Sequence, residues 1–543
     1  MGILVILLFI VCGIAGAQVT LSLTPLRVEL SVSPGSTRTF TILLINESKS
    51  STARFKVKTM DLTQKPNGDY QVVELGESKH SCASWIKLST DNAVLGPGEA
   101  LSLIGTVAVP RTAYGGKYAA VVMELVPDER APGDTALASA RFVHRMATVV
   151  ELSVQSPRVK RLINIEGFTL ESASQNDRLA SAYGNDALML SAQVKNEGNI
   201  HALVQGTLTL RDSTGRRLRQ IPLGAGRGLV LPDASVRLSS ILPAGLKPGD
   251  YIADLAFKYG GTRPAVAKVP FTVGPTEAGA TADAEGIRQT VIAPFTAEPS
   301  EVALSYPAGA VVARSVVLEN KSDQAIRVEG KPLPLEYDVE GELVQEGLSE
   351  TESSCAQWIE LRPASLQLAP RSRQVVRIVI SIPKGEAGGK YADLVFAATP
   401  VDGAGWTGEA GTTVFLTVGK ESPPQAEIAG LDLRDGGPSV GHVFEATLRN
   451  TGTTHLKPST VFTLFKRVMP ESVPGLEYIG PGSLVEVYSA DLGESENVVL
   501  PGGERILRTT YAQPLEVGEY VLEVAVRYGA KTPAYATLNF AVK

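Results

Sequence analysis

Side chains that could carry chemistry are few in this chain and widely spaced. The histidines are His80, His144, His201, His442 and His455, and none pairs with another at metal-ligand spacing. The sequence shows no G-x-S-x-G, no H-E-x-x-H and no D-x-D-x-D-G calcium loop. "GAGRG" at Gly224 lacks the Lys-Ser/Thr and the strand–helix setting of a phosphate loop. Catalysis needs a nucleophile, a base and an orienting group together, and no such set stands out. The expectation is a protein that is not an enzyme and uses no metal and no cofactor.

Charge and aromatic side chains in two matching stretches are the better candidates, and their chemistry is binding. Arg211 to Arg237 holds Arg211, Arg216, Arg217, Arg219, Arg227 and Arg237 against Asp212 and Asp233, a net +4. The later stretch, Lys466 to Gly503, holds Glu471, Glu477, Glu486, Asp491, Glu494 and Glu496 against Lys466 and Arg467, a net −4. It also carries Tyr478 and Tyr488. One reading of this divergence is a surface that meets a partner, or a head-to-tail contact between chains, through Arg216, Arg217, Arg219, Tyr478, Tyr488 and Glu494. The other is drift on solvated loops.

The elements that must position these residues are strands. The chain has 543 residues with 52 Gly and 34 Pro, a turn-rich excess that favours many short strands over long helices. Hydrophobic residues make up 44% and charged residues 20%, enough for packed cores. The net charge of −6, spread along the chain, argues against a nucleic-acid partner. Ile3 to Ile14 is an apolar run followed by Ala15-Gly16-Ala17. It reads as a signal peptide cleaved before Gln18, although no Lys or Arg precedes it. Cys12 leaves with it, and Ile10 and Val11 are too large for a lipid-attachment signal. No later apolar run reaches the ~18 residues of a membrane helix. The expected place is secreted, periplasmic or at the cell surface.

Internal repeats set the plan. "SCASWIKL" from Ser81 returns as "SCAQWIEL" 273 residues later, and Pro110 and "GGKYAA" from Gly115 return at the same offset as Pro383 and "GGKYAD". "NEGNIH" from Asn196 returns as "NTGTTH" 254 residues later, and "GDYIADLAFKYGGTRPA" from Gly249 returns 269 residues later. The chain therefore reads as a duplicated pair, A–B–A′–B′: A at 18–153, B at 154–273, a linker at 274–289, A′ at 290–420 and B′ at 421–543. Runs such as "TRTFTILLIN" and "RQVVRIVISI" alternate with a period of two between Gly, Pro, Asn and Ser turns. "KPNGDY" is a hairpin turn. The fold class is all-β, four tandem immunoglobulin-like sandwiches.

Within that plan Trp85 and Trp358 open strands as core aromatics, with sugar stacking as the functional alternative. Tyr118 and Tyr391 follow Gly-Gly at a corner, where a hydroxyl bonds nearby backbone. Cys82 and Cys355 occupy equivalent places, one in A and one in A′, so no bridge within a domain exists. Both are expected as free thiols buried beside the Trp. Asn46-Glu47-Ser48 and Asn320-Lys321-Ser322 match the glycosylation sequon, and strand-end Asn turns explain them equally.

The order W-I-x-L, P-G-E, V-P, G-x-Y resembles the N-terminal domain of bacterial WxL-interacting cell-surface proteins, and more loosely the pilus periplasmic chaperones and other PapD-like sandwiches. The N-x-G-x-x-H turns of B and B′ resemble the N-x-G-N turns of bacterial adhesion modules. The WxL-interacting group pairs a peptidoglycan-binding domain with one proposed to bind host proteins, followed by a membrane helix and a basic tail. Here the pair is doubled and the sequence ends on a strand, "LNFAVK". The resemblance implies a structural or adhesion-type binding protein of the envelope whose partners are envelope polymers or other surface or secreted proteins. A PapD-like assembly chaperone that lends a strand to a client is one alternative. The segment from Phe142 to Val154, with Phe142, Met146, Val150, Leu152 and Val154 on one face, is its candidate donor, against the plainer reading of an ordinary last strand. A glycan-binding accessory chain is the other alternative.

Overall fold

A computed structural model describes residues 21–126, 145–173, 177–224, 228–243, 245–261, 263–273, 287–292, 294–344, 347–403, 405–420, 422–435, 441–468, 483–495 and 497–542. The signal-like start, linker residues 274–286, Phe142 and Tyr478 lie outside the described residues, whereas 287–289, expected as the end of the linker, belong to the strand Ile287–Val291, which pairs with Ile163–Ser172. The chain is all-β, in immunoglobulin-like sandwiches. Its one described α-helix, Asp177–Tyr183, is two turns long, too short to register as a helical period. Among the described residues no helix is long and apolar enough to cross a membrane.

By contact density the chain divides into two compact units, Met1–Ile163 with Gln193–Val204 and Gly226–Leu238, and Asn164–Ala192 with Gln205–Ala225 and Ser239–Lys543. In the first, one sheet runs Leu21–Thr24, Thr37–Asn46, Ala100–Ala108, Ile86–Leu88. The facing sheet runs Arg27–Val32, Arg145–Val154, Gly115–Leu125, Ala53–Gln64, Tyr70–Val73. At Pro25 the chain switches sheets: Leu21–Thr24 lies antiparallel to Thr37–Asn46, and Arg27–Val32 lies parallel to Arg145–Val154. Alternation puts Phe40, Ile42, Leu44, Leu103, Val107, Val121, Val150 and Leu152 into one core between the sheets.

The second unit repeats this arrangement and extends it. Phe295–Glu298 pairs with Val311–Asn320, and after Pro299 Glu301–Tyr306 lies parallel to Thr407–Val418. Ala265–Val273 then pairs antiparallel with Thr407–Val418, Val266 opposite Glu409 and Lys268 opposite Thr407. Two sheets thereby become one of nine strands, running from Arg217–Leu223 through Gly249–Lys258 and Gly388–Pro400 to Ser365–Leu368. Farther along, Ala426–Asp435, His442–Asn450 and Glu504–Tyr511 face a sheet of Ser483–Glu494, Ser459–Val468, Gly518–Arg527 and Ala534–Val542. Their core is Phe444, Leu448, Phe462, Leu464, Leu522 and Val524.

One device recurs four times. Asn46, Asn196, Asn320 and Asn450 each end a strand, and each is buried. The side-chain amide donates to carbonyls of facing turns: Leu95 and Gly96, Ile200 and Val230, Leu368 and Ala369, Thr454 and Val499. The carbonyl oxygen accepts the N–H two residues on, from Ser48, Gly198, Ser322 and Gly452. An Asx turn fused to a cross-loop clamp satisfies buried backbone that would otherwise cost about 1–3 kcal/mol per group. It also spends the amide nitrogens of both sequons, so the strand-end turn, and not a glycan, accounts for Asn46 and Asn320.

Candidate functional site

The residues that the repeats single out converge on a pinned junction, formed once in each unit. In the first, Tyr118 on Gly115–Leu125 lies in the face of the sheet turned away from the core. Its hydroxyl accepts the backbone N–H of His201 at 2.7 Å and meets His201 Nδ1 at 2.9 Å. The hydroxyl has a second lone pair and a proton of its own, so the direction of its bond to Nδ1 follows the imidazole tautomer. The partner is thus not nearby backbone, as a corner tyrosine would have, but a residue 83 positions away. Gly116 donates to the Asn199 carbonyl at 2.7 Å beside it. A Cβ on Gly116 would overlap the Tyr118 hydroxyl, which is why Gly-Gly precedes the Lys-Tyr pair.

The hairpin Lys65 to Asp69 docks alongside. The Pro66 carbonyl accepts the Arg237 N–H at 2.7 Å, and Gln64 bonds the Leu229 carbonyl at 2.7 Å and the Leu231 N–H at 2.9 Å. Met60, Leu62, Ala120, Val122, Leu229 and Leu231 fill the space between. Opposite Tyr118 on the next strand stands Glu151, whose side chain is 1% exposed. Its carboxylate accepts from Arg27 at 2.5 Å and from Tyr70 at 2.7 Å, so a buried charge is paired on both oxygens. His80 Nε2 sits 3.3 Å from Asp233 Oδ2 at the rim.

In the second unit the pin recurs: the Tyr391 hydroxyl accepts the His455 N–H at 2.7 Å, and Gly389 donates to the Thr453 carbonyl at 2.7 Å. The Val339 carbonyl accepts the Ile506 N–H at 2.7 Å. Around the pin the chemistry changes. Opposite Tyr391 stands Phe415, its ring centroid 4.8 Å from that of His455, with Leu335 and Leu500 in the same cluster. Burial lowers the pKa of His201 and of His455, which favours the neutral imidazole beside each tyrosine hydroxyl.

The remaining sequence candidates lie elsewhere. Cys82 and Cys355 are buried free thiols heading matching 3-10 turns, and burial raises both, Cys355 to about 12. Trp85 and Trp358 close those turns, one residue before the strands that they were expected to open. Both are half-buried, and the Lys390 ammonium lies 5.4 Å over the Trp358 ring. Arg216 pairs with Asp212 in its own turn, Arg217 donates to Gln220, and Arg219 is exposed. Tyr488 bonds Thr509 at 2.7 Å, and Glu494 lies 3.6 Å from Lys457. The structure does not gather these residues into one site: Tyr488 reaches across to the facing sheet, and the others are engaged locally or lie open to solvent.

Two groups escaped the sequence reading. Arg263 and Asp393 form a buried ion pair next to the ladder between Ala265–Val273 and Thr407–Val418, beside a cavity of about 120 Å³. Burial pushes the Asp393 carboxyl up, against the pull of Arg263. The backbone edge of the Arg145–Val154 strand, of which the sequence reading considered only the apolar face, is the second. Met146, Val150, Leu152 and Val154 pack into the chain's own core. Arg27–Val32 covers only Val149 to Val154, so Arg145 to Thr148 have a ladder partner on one side alone among the described residues. The apolar face proposed for donation is therefore spent internally, and what stays open is a short backbone edge.

No family model matches the sequence, and no curated protein matches it. Solved structures similar to it include the chaperone–tip adhesin complex of CFA/I fimbriae, at 12% identity over 51% of this chain and 99% of that one, with a TM-score of 0.26. The class 5 fimbriae chaperone CfaA is 12% identical over 47% of this chain and 100% of its own, TM-score 0.25. The Pseudomonas aeruginosa CupB2 chaperone is 13% identical over 46% and 100%, TM-score 0.22. Likeness at these scores carries no argument about activity or partner.

Proposed function

We propose that the chain is a non-catalytic, extracytoplasmic protein of the cell envelope, a duplicated pair A–B–A′–B′ that binds a surface or secreted protein along the edges of its sheets. The observation that carries this reading is the ladder between Ala265–Val273 and Thr407–Val418. It joins two sheets by strand addition, the means by which sandwiches also take up extended partner segments. The pinned junctions support it, because an edge binds with less entropic loss when the sheet behind it is fixed. The signal-like start motivates the location. The test is hydrogen exchange on the chain bound to whatever protein it retains from native envelope. Protection gained along strand edges is expected. Protection confined to turns, with the edges unchanged, contradicts the reading.

A second reading, an assembly chaperone lending a strand, is favoured by the one-sided edge at Arg145 to Thr148. It requires the new protection to fall on those four residues and on a client subunit.

A further inference from the structure

Two edge strands of the last sandwich differ from their counterparts in B. In B, Ile163–Ser172 is flanked by Ile287–Val291 over Gly167 to Glu171, and Ala265–Val273 by Thr407–Val418. In B′ the matching strands are Ala426–Asp435 and Ala534–Val542. Among the described residues each has one ladder partner, His442–Asn450 and Gly518–Arg527 respectively. The composition has changed with the pairing. Ala265–Val273 contains Lys268 and Pro270, a charge and a missing N–H that limit how far a neighbour can zip along it. Thr537 and Asn539 hold those places in B′, so Ala534–Val542 is nine residues of edge with no charge and no proline. Natural sheets rarely leave such an edge unprotected unless it is paired.

We propose that Ala534–Val542 is an interface between two copies of this chain, each strand pairing antiparallel with its twin about a two-fold axis at Leu538. The strand is complementary to itself in this register. Tyr535 faces Ala541, Ala536 faces Phe540, Thr537 faces Asn539, and Ala534 faces Val542, so large meets small on both faces and no charges oppose. The contact is isologous and closes at two copies. It extends a four-stranded sheet to eight and shields an apolar seam in which Ile428, Leu433, Leu538 and Phe540 are only partly buried. Phe540 is held for this by stacking on Tyr520 at 5.5 Å. The ladder of Ala265–Val273 on Thr407–Val418 shows within this chain that this strand position accepts an antiparallel neighbour. A single strand pair is a small interface, and its dissociation constant is expected at about 1–100 µM.

The test is sedimentation velocity of the purified full chain from about 1 to 200 µM, a range that brackets that constant. Wild type is expected to pass from monomer to dimer. Thr537 and Asn539 are exposed, so charges placed there leave the core untouched. T537K/N539K sets Lys against Lys twice and is expected to weaken the dimer at least about tenfold. T537K/N539E sets Lys against Glu twice and is expected to keep it within about threefold. A wild type that stays monomeric overturns the proposal. So does a T537K/N539K variant that dimerises like wild type, or a T537K/N539E variant that fails as badly as the Lys–Lys one.

Discussion

The two pinned junctions share a frame and differ in filling. Each has a tyrosine hydroxyl on a histidine N–H, a Gly N–H on the carbonyl two residues before that histidine, and a hairpin carbonyl on the next strand. Around Tyr118 the neighbours are Glu151, Arg27 and Tyr70, a buried charge held by two partners. Around Tyr391 they are Phe415, Leu335 and Leu500. The backbone geometry thus tolerates either an ion pair or an aromatic cluster beside it. A buried ion pair is weak evidence of stability, since desolvation offsets much of its attraction, whereas a buried ring contributes by area and packing. The comparison teaches that the pin specifies the junction and the filling sets how strongly, and under which conditions, it holds.

The largest effect should come from removing the aromatic filling. Phe415→Ala is expected to destabilise the second unit by about 3–4 kcal/mol, read in calorimetry as a shift in its transition with the other unit unmoved. Next is Glu151→Ala, which removes the buried partner of Arg27 and Tyr70 and leaves Arg27 with the exposed Glu29 at 3.0 Å. The Arg27 side chain is 25% exposed, so the loss is expected at about 2–3 kcal/mol rather than the cost of a fully buried orphan charge. An effect on the wrong unit in either case breaks the comparison.

Smaller and equal effects should follow from the shared frame. Tyr118→Phe and Tyr391→Phe each strand a backbone N–H and are expected to cost about 1–2 kcal/mol in urea unfolding. Unequal losses would mean that the filling, and not the pin, fixes the geometry. The smallest difference is in acid. His201 and His455 are lowered by burial, so the unfolded chain binds more protons as pH falls below about 6.5, and stability present above that value is lost toward the lowered pKa. The first unit adds His80, lowered chiefly by burial and by Lys117, with Asp233 opposing. Melting at about pH 7.5 and pH 5 should therefore show the larger drop in the first unit.

Much of the frame was legible because it is written in local pattern and in repeats. The hydrogen bonds from Arg237 to Pro66 and from Ile506 to Val339 reproduce the 269- and 273-residue offsets of the sequence. Alternation revealed the faces of the strands, and "KPNGDY" its hairpin, which Gly68 completes at φ 88°. Pairings of distant residues were not legible. Tyr118 and His201 sit 83 residues apart, Arg27 and Glu151 sit 124 apart, and no local pattern couples them. The four Asn clamps left a trace, Asn-x-Gly or Asn-x-Ser at the end of a strand, but only the fold shows which carbonyls they hold. Which edges pair is equally hidden, because alternation describes the faces of a strand and says nothing of its flanks. For that reason the charged stretches around Arg216 and Glu494 drew attention as an interface, while Ala534–Val542 did not.

Strand addition between sheets is the claim on which the functional account rests, and hydrogen exchange of the free chain tests it most directly. If Ala265–Val273 and Thr407–Val418 form one continuous sheet, ladder amides within Val266 to Lys268 and Thr407 to Glu409 should exchange as slowly as those of Ala253 to Leu255 in the neighbouring strand. Exchange at the rate of an exposed turn in both segments, with Ala253 to Leu255 still protected, would contradict it.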